Sequence, residues 1–198
     1  MKTAIVASLI ASAAAFAPAT HTQSSNALKA APFAGEIGAQ APLGYFDPLG
    51  LCTNGDRGTF DRLRYVELKH GRIAMLAVVG YLVTYAGIRF PGAEDIPAGF
   101  AAIPALPVGV VVQLAFTVGV MEAFNRDASD LWDVKKSEFP GDFRNGFIDF
   151  GWDKQTDAWK RNKRAIEINQ GRAAQMGILA LMVHDKLGNV KDILPLAN

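Results

Sequence analysis

Long apolar stretches alternate with short charged clusters along the chain, and three of the stretches carry helical patterns. The first is predicted over about residues 60–88 and holds no charged residue from Ile73 to Ile88. The second runs from about Val108 to Asn125, behind Pro104 and Pro107, with an uncharged core from Val108 to Met121. The third runs from about Thr156 to Leu187, with an uncharged core from Ala173 to His184. Gly188 stands just past its end, where a helix commonly closes on a left-handed glycine. None of these cores alone reaches the ~20 apolar residues of a clean membrane span. The first and third reach that length if their charged starts are included. Glu67 to Ile88 makes about 22 residues, or roughly 33 Å of helix, and Glu167 to Leu187 about the same. The pattern predicts an all-α membrane protein with three transmembrane helices. Glu67, His70 and Arg72 then enter the bilayer, as do Glu167, Gln170 and Arg172. Ionisable groups at that depth need partners.

The first and third helices are copies. Glu67-Leu68-Lys69-His70-Gly71-Arg72 aligns with Glu167-Ile168-Asn169-Gln170-Gly171-Arg172 at an offset of 100 (167 − 67). Gly71, Ala74, Ala77 and Gly80 align with Gly171, Ala174, Gly177 and Ala180. Upstream, Gly44-Tyr45-Phe46-Asp47 resembles Gly146-Phe147-Ile148-Asp149. A unit of loop plus helix is therefore duplicated. Arg72 lies about 140° round the helix from Glu67 and cannot easily neutralise it. A second helix with the same motif solves the problem: Arg72 reaches Glu167, and Arg172 reaches Glu67. The first and third helices are expected to cross with pseudo-two-fold symmetry, brought close by the small residues at every third position. A carboxylate paired this way stays ionised and keeps lone pairs for a further ligand. Oxygen and imidazole ligands offered singly suit the open axial position of a chlorophyll magnesium. They do not suit a structural zinc, which wants four converging ligands.

Composition narrows the class. Half the residues are apolar and only 20% are charged, which is rich for a small water-soluble domain. A net charge of +1 argues against a nucleic-acid binder. Cys52, the single cysteine, reads as a small loop residue with no partner for a disulfide or zinc. Residues 1–30 read as a bipartite signal and plastid transit peptide, and 31–198 as the functional domain. Lys2 precedes an apolar run, Ala4 to Ala15, too short to span a bilayer. Phe16 to Lys29 then carries His21, Ser24, Ser25 and no acid. Ala13-Ala14-Ala15-Phe16-Ala17-Pro18 resembles the cleavage motif of plastid proteins in algae with secondary plastids.

The doubled ExxHxR and ExxQxR motifs resemble the first and third helices of the light-harvesting chlorophyll-binding superfamily. Gly44 to Gly50 and Glu167 to Gly188 are similar to fucoxanthin–chlorophyll a/c proteins of diatom-type algae. The resemblance covers nearly all of residues 31–188. It implies chlorophyll a, chlorophyll c and fucoxanthin as cofactors, and a multi-pass place in the plastid thylakoid. It implies partners among thylakoid lipids, a photosystem core and other antenna subunits, with homo- or hetero-oligomers. Glu67 and Glu167 would ligate magnesium while paired to Arg172 and Arg72. His70, Gln170 and His184 would be further ligands, as would Gln113 and Glu122 on the middle helix. Where the green-plant branch usually has Asn, Gln170 still offers an amide oxygen. Loops around Asp47 and Asp149 would hold two carotenoid head groups. Some residues have a second reading: His184 as a helix-end histidine, Gln113 as a polar bond to a neighbouring helix, Glu122 as a charge at the water surface. The aromatic run Phe139, Phe143, Phe147, Phe150, Trp152, Trp159 reads as an interfacial belt or a pigment box.

The function this implies is antenna light harvesting. The alternative on the same fold is a photoprotective quencher, disfavoured because the loop Arg89 to Pro107 holds only Glu94 and Asp95 as acids. A haem protein using His70 and His184 fails because the two sit near opposite ends of their helices. No nucleophile, zinc-protease, phosphate-loop or dinucleotide fingerprint points to an enzyme.

Overall fold

The computed structural model describes residues 32–125, 138–143 and 150–194. The expected targeting segment and Asp149 lie outside the described residues. Among them the regular structure is helical, with one isolated bridge, Gln40 to Gly44.

Helix α1 spans Arg57–Tyr85, α2 Val108–Asn125 and α3 Asp157–Leu187. Helix α1 starts a turn earlier than the apolar pattern predicts. Asp56 caps it, its carboxylate accepting from the amides of Gly58 and Thr59. It also stops earlier, at Tyr85, where the chain leaves through Gly87 with φ of 82°. Helix α2 has the predicted bounds, with Pro107 supplying the first acceptor carbonyl for Val110 and Val111. Helix α3 is capped by Thr156 and closes on Gly188 at φ 73° as predicted.

Helices α1 and α3 pack side by side in the same direction. Gly71 meets Gly171, Val78 meets Gly177, and Tyr81 bonds to Asp185. At the closest approach a Cβ on Gly71 would stand 2.9 Å from the Gly171 Cα. Glycine is required there because the obstruction is backbone, which cannot rotate aside. Leu68 and Ile168, again 100 apart, are buried beside it, with Ala74. The small-residue stripe was expected to carry close approach along both helices. It does so only near the glycines: Gly80 has nothing within 4 Å of its Cβ position and Ala180 is exposed.

The loop before α1 folds back on its first turn. Phe33 stacks on Phe60 with ring centres 4.2 Å apart, and Cys52 is buried with them. Along residues 108–123 of helix α2 none is buried. Its Glu122 pairs with Lys69 near the middle of α1, while Leu106, just before α2, lines one cavity with Tyr81 and Ile88 at the far end of α1, so α2 runs against α1. Between Gly99–Ala105 and α2 the chain bends by 108°. Among the described residues, no single helix is long and apolar enough to cross a membrane. That bent pair passes by length and composition together.

Candidate functional site

The repeated motif builds two matching constellations on α1 and α3. Arg72 donates through Nε to Glu167 Oε1 at 2.6 Å, and Arg172 through Nε to Glu67 Oε1 at 2.7 Å. Each arginine donates a second bond through Nη1 to a glycine carbonyl, Gly141 for Arg72 and Gly38 for Arg172, both at 2.8 Å. Both glycines are left-handed, with φ of 84° and 101°. A Cβ on either would strike a neighbour: Leu68 at 2.9 Å for Gly141, Arg64 at 2.7 Å for Gly38. The arginines therefore bind helix to helix and helix to loop at once. The cross-helix pairs were legible in the repeat; the glycine carbonyls were not, because the loops carry no periodicity.

The two carboxylates differ in one respect. Glu67 Oε2 also accepts from Arg64 Nη1 at 2.5 Å, three residues back on the same helix. Arg164 holds the equivalent place before Glu167 but lies over the Phe139 ring, 3.8 Å from its centre. Glu167 Oε2 has no partner among the described residues. Gln175 adds a contact from α3 to the Glu67 backbone carbonyl at 3.4 Å. Arg64, Arg164 and Gln175 were all missed by the sequence reading. The recurrence of arginine three residues before each glutamate was the available signal.

Each of the two candidate histidines has one ring nitrogen engaged. His70 is exposed, and its Nδ1 lies 2.8 Å from the Val66 carbonyl, which can only accept. Nδ1 is therefore the donor, and Nε2 keeps its lone pair on the outer face. His184 makes the same arrangement with Asn189 Oδ1 at 3.0 Å. Gln170 and Gln113 are exposed, with their amides unengaged among the described residues. Glu122 faces out too, but its carboxylate is taken by Lys69. Among the described residues no three of His, Cys, Asp and Glu converge on one point, so the candidate ligands stand singly.

Asp47 organises its own loop. Its carboxylate accepts from the amides of Cys52 at 2.9 Å and Leu51 at 3.0 Å, and the Tyr45 hydroxyl lies 3.4 Å away. The Cys52 amide bond, foremost, holds this carboxyl below its ordinary range. Burial, with Cys52 and Asp47 nearby, pushes Tyr45 up to about 12.

Three cavities open beside these groups. One of about 520 Å³ lies between the loop 38–47 and Glu67 with Arg172. One of about 460 Å³ lies between Arg72, Phe143, Trp152 and Glu167. A third, about 590 Å³ and almost wholly apolar, lies at the far end of the pair, against Tyr81, Phe100, Ile103 and Met182. Around them the helices present bare apolar surface: Ile73, Leu76 and Val79 on α1, Val108 and Phe116 on α2, and Met176 on α3 are each more than half exposed. Apolar exposure on this scale marks surface meant to be covered.

Known proteins match this chain over most of its length. Residues 33–186 match the family described as Chlorophyll A-B binding protein. The chain is 58% identical over 196 residues to fucoxanthin-chlorophyll a-c binding protein D, chloroplastic, of Phaeodactylum tricornutum, covering 95% of this chain and 97% of that one. It is 51% identical over 200 residues to fucoxanthin-chlorophyll a-c binding protein, chloroplastic, of Trieres chinensis, with 95% and 96% covered. It is 48% identical over 181 residues to the A protein of the same name from Macrocystis pyrifera, with 86% and 80% covered. Two reciprocal glutamate–arginine pairs closed over a glycine contact, on a chain matched over almost its whole length, place this protein in the chlorophyll a-b binding protein family.

Proposed function

We propose that this chain is a light-harvesting antenna protein of the thylakoid membrane in the plastid, binding chlorophyll a, chlorophyll c and fucoxanthin. It is not an enzyme. The observation that carries the reading is the pair of arginine-neutralised glutamates beside exposed imidazole and amide ligands, amid helix faces that nothing among the described residues covers. When bound, the pigments supply light absorption and excitation transfer, from carotenoid and chlorophyll c to chlorophyll a.

The residues do the holding and aiming. Arg72 and Arg172 hold the carboxylates of Glu167 and Glu67 in place; Glu167 offers its second oxygen to one magnesium, and Glu67 offers an oxygen that a ligand shares with Arg64. His70 and His184 offer Nε2, their rings fixed through Nδ1. Gln170 and Gln113 offer amide oxygens. Glu122 is the weakest of the set, since a ligand there must share the carboxylate with Lys69. The loop around Asp47, closed by its own carboxylate, and the loop around Asp149 frame two carotenoid head groups. We read α1, α2 and α3 as three membrane spans, α1 and α3 crossing at Gly71 and Gly171 about an approximate two-fold axis. The charged starts of α1 and α3 are neutralised pairwise, which lowers the penalty of taking them to the bilayer. Residues 1–30 serve as the targeting segment and are absent from the mature domain 31–198. A photosystem core and other antenna subunits are the proposed partners, in a homo- or hetero-oligomer.

The test is to refold residues 31–198 in detergent with the three pigments, excite the carotenoid and record emission. Chlorophyll a fluorescence is expected. Bound pigment with strongly quenched emission would favour the photoprotective role instead, and absence of bound pigment would overturn the reading.

A further inference from the structure

The two carboxylate sites come from one repeat, yet they differ at one oxygen. The Glu67 and Glu167 side chains are equally exposed, 29% each, and each accepts from the Nε of the arginine on the other helix. Solvent access and the cross-helix pair therefore do not separate them. The difference lies one turn back. Arg64 Nη1 donates to Glu67 Oε2 at 2.5 Å, so Glu67 meets a guanidinium at both oxygens. Arg64 is held there. Its side chain is 12% exposed, its guanidinium stands 5.2 Å from the Phe60 ring centre, and a Cβ on Gly38 would lie 2.7 Å from its Nη1. Arg164 has the same place in the repeat but is turned to the Phe139 ring, with the charges of Glu138 and Glu36 acting on it. Glu167 Oε2 is left unengaged among the described residues. A carboxylate has about four lone-pair positions, so Glu67 can still take a ligand. It does so as the poorer donor, because each charge-assisted hydrogen bond draws on the same negative charge.

We propose that Arg64 sets the strength of ligation at Glu67, making it the weaker and faster-exchanging of the two carboxylate sites, with Glu167 the tighter. The inference rests on the antenna reading above and names a residue that grades two of its sites. Without a pigment, both Glu67 oxygens are already engaged, and Arg172 ties the same carboxylate to the Gly38 carbonyl. The start of α1 and the loop before it thus hold together with no ligand bound. Glu167 has an oxygen to fill. At limiting pigment, Glu167 therefore fills before Glu67.

The test takes the pigment-loaded protein in detergent, adds an excess of isotope-labelled chlorophylls a and c, and follows exchange by mass spectrometry of the bound pigment. Arg64→Gln and Arg64→Met are each expected to slow the exchange of one chlorophyll per protein by roughly tenfold, the weight of one charge-assisted hydrogen bond. Methionine keeps an apolar stem against Phe60. Glu167→Leu should remove a more slowly exchanging chlorophyll and leave this one. Arg62→Gln, an exposed cation on the same helix, is the control and should exchange as the wild type does. An Arg64 that only braces the loop predicts the opposite sign, with exchange faster or the pigment lost. Unchanged or faster exchange in both Arg64 variants, loss of chlorophyll from both, an equal slowing in Arg62→Gln, or loss of the affected chlorophyll in Glu167→Leu would overturn the proposal. In all of these the wild type still carries chlorophyll and the antenna reading stands. A wild type that loads no chlorophyll strikes the antenna reading itself, and this proposal with it.

Discussion

Helices α1 and α3 on one side and α2 on the other are specified in different ways. The α1–α3 pair is fixed by the protein itself: a glycine contact under 3 Å from a virtual Cβ, buried Leu68 and Ile168, two reciprocal ion pairs and two loop carbonyls. Helix α2 is more apolar than either, but none of its residues 108–123 is buried, and it is tied to α1 by the Lys69–Glu122 pair. Apolar sequence alone therefore does not choose a packing partner in a membrane, where lipid is as apolar as leucine. Backbone approach and paired charge choose it for α1 and α3. On the proposed reading, bound pigments would complete the packing of α2.

The strongest way to break this contrast is at the glycines. Gly71→Val is expected to abolish pigment-loaded refolding altogether, because the added atoms meet the Gly171 backbone; the yield of pigmented protein after reconstitution reads it. The equivalent size increase on α2, Gly119→Val, has nothing within 4 Å to strike and should leave most of the yield. Next, Arg72→Leu leaves Glu167 without its counter-charge. Stranding one partner of a desolvated pair costs roughly 3 kcal/mol, less the share restored by remaining solvent access. The pigment-to-protein ratio should fall by about one chlorophyll, since Glu167 loses the guanidinium that positions its carboxylate. An unchanged ratio would sink the cross-helix pairing as the source of that ligand.

Loop order gives a smaller effect. Asp47 is held below its ordinary pKa of 3.8 by the Cys52 amide, so the stabilisation is fully present above that value. It is lost as pH falls through the lower, folded value. Carotenoid circular dichroism should thus be flat from neutral to mildly acid pH and collapse only in stronger acid. Asp47→Asn should weaken the signal at neutral pH and flatten the acid-side loss. A midpoint near pH 6 would point to another group. The smallest effect belongs to Lys69→Gln: its pair with Glu122 is exposed, so stability should hardly change, while the dichroism of any pigment on α2 shifts.

Much of this was legible before any coordinates. Helix α2 was bounded correctly, and α3 to within a residue, because Pro107, Thr156 and Gly188 are strong punctuation. The start of α1 was not, since Asp56 caps a turn whose residues are polar. The Glu67–Arg172 and Glu167–Arg72 pairs followed from the repeat, because two copies of an unbalanced motif balance only across each other. Gly38 and Gly141 could not be found that way: their role is a carbonyl aimed by a left-handed turn, and backbone direction leaves no mark in residue chemistry. Nor did periodicity reveal that α2 would stand bare, as it reports which face is apolar and not what covers it.

The most direct measurement is a pair of interhelix distances by double electron–electron resonance. Spin labels would be placed at Val79→Cys on α1 with Met176→Cys on α3, and at Val79→Cys with Val112→Cys on α2, in a Cys52→Ala background. Samples would be compared with and without pigment. The account predicts that the α1–α3 distribution is better defined than the α1–α2 distribution in pigment-free protein, and that α1–α2 sharpens on pigment binding. A narrow α1–α2 distance already present without pigment would contradict it.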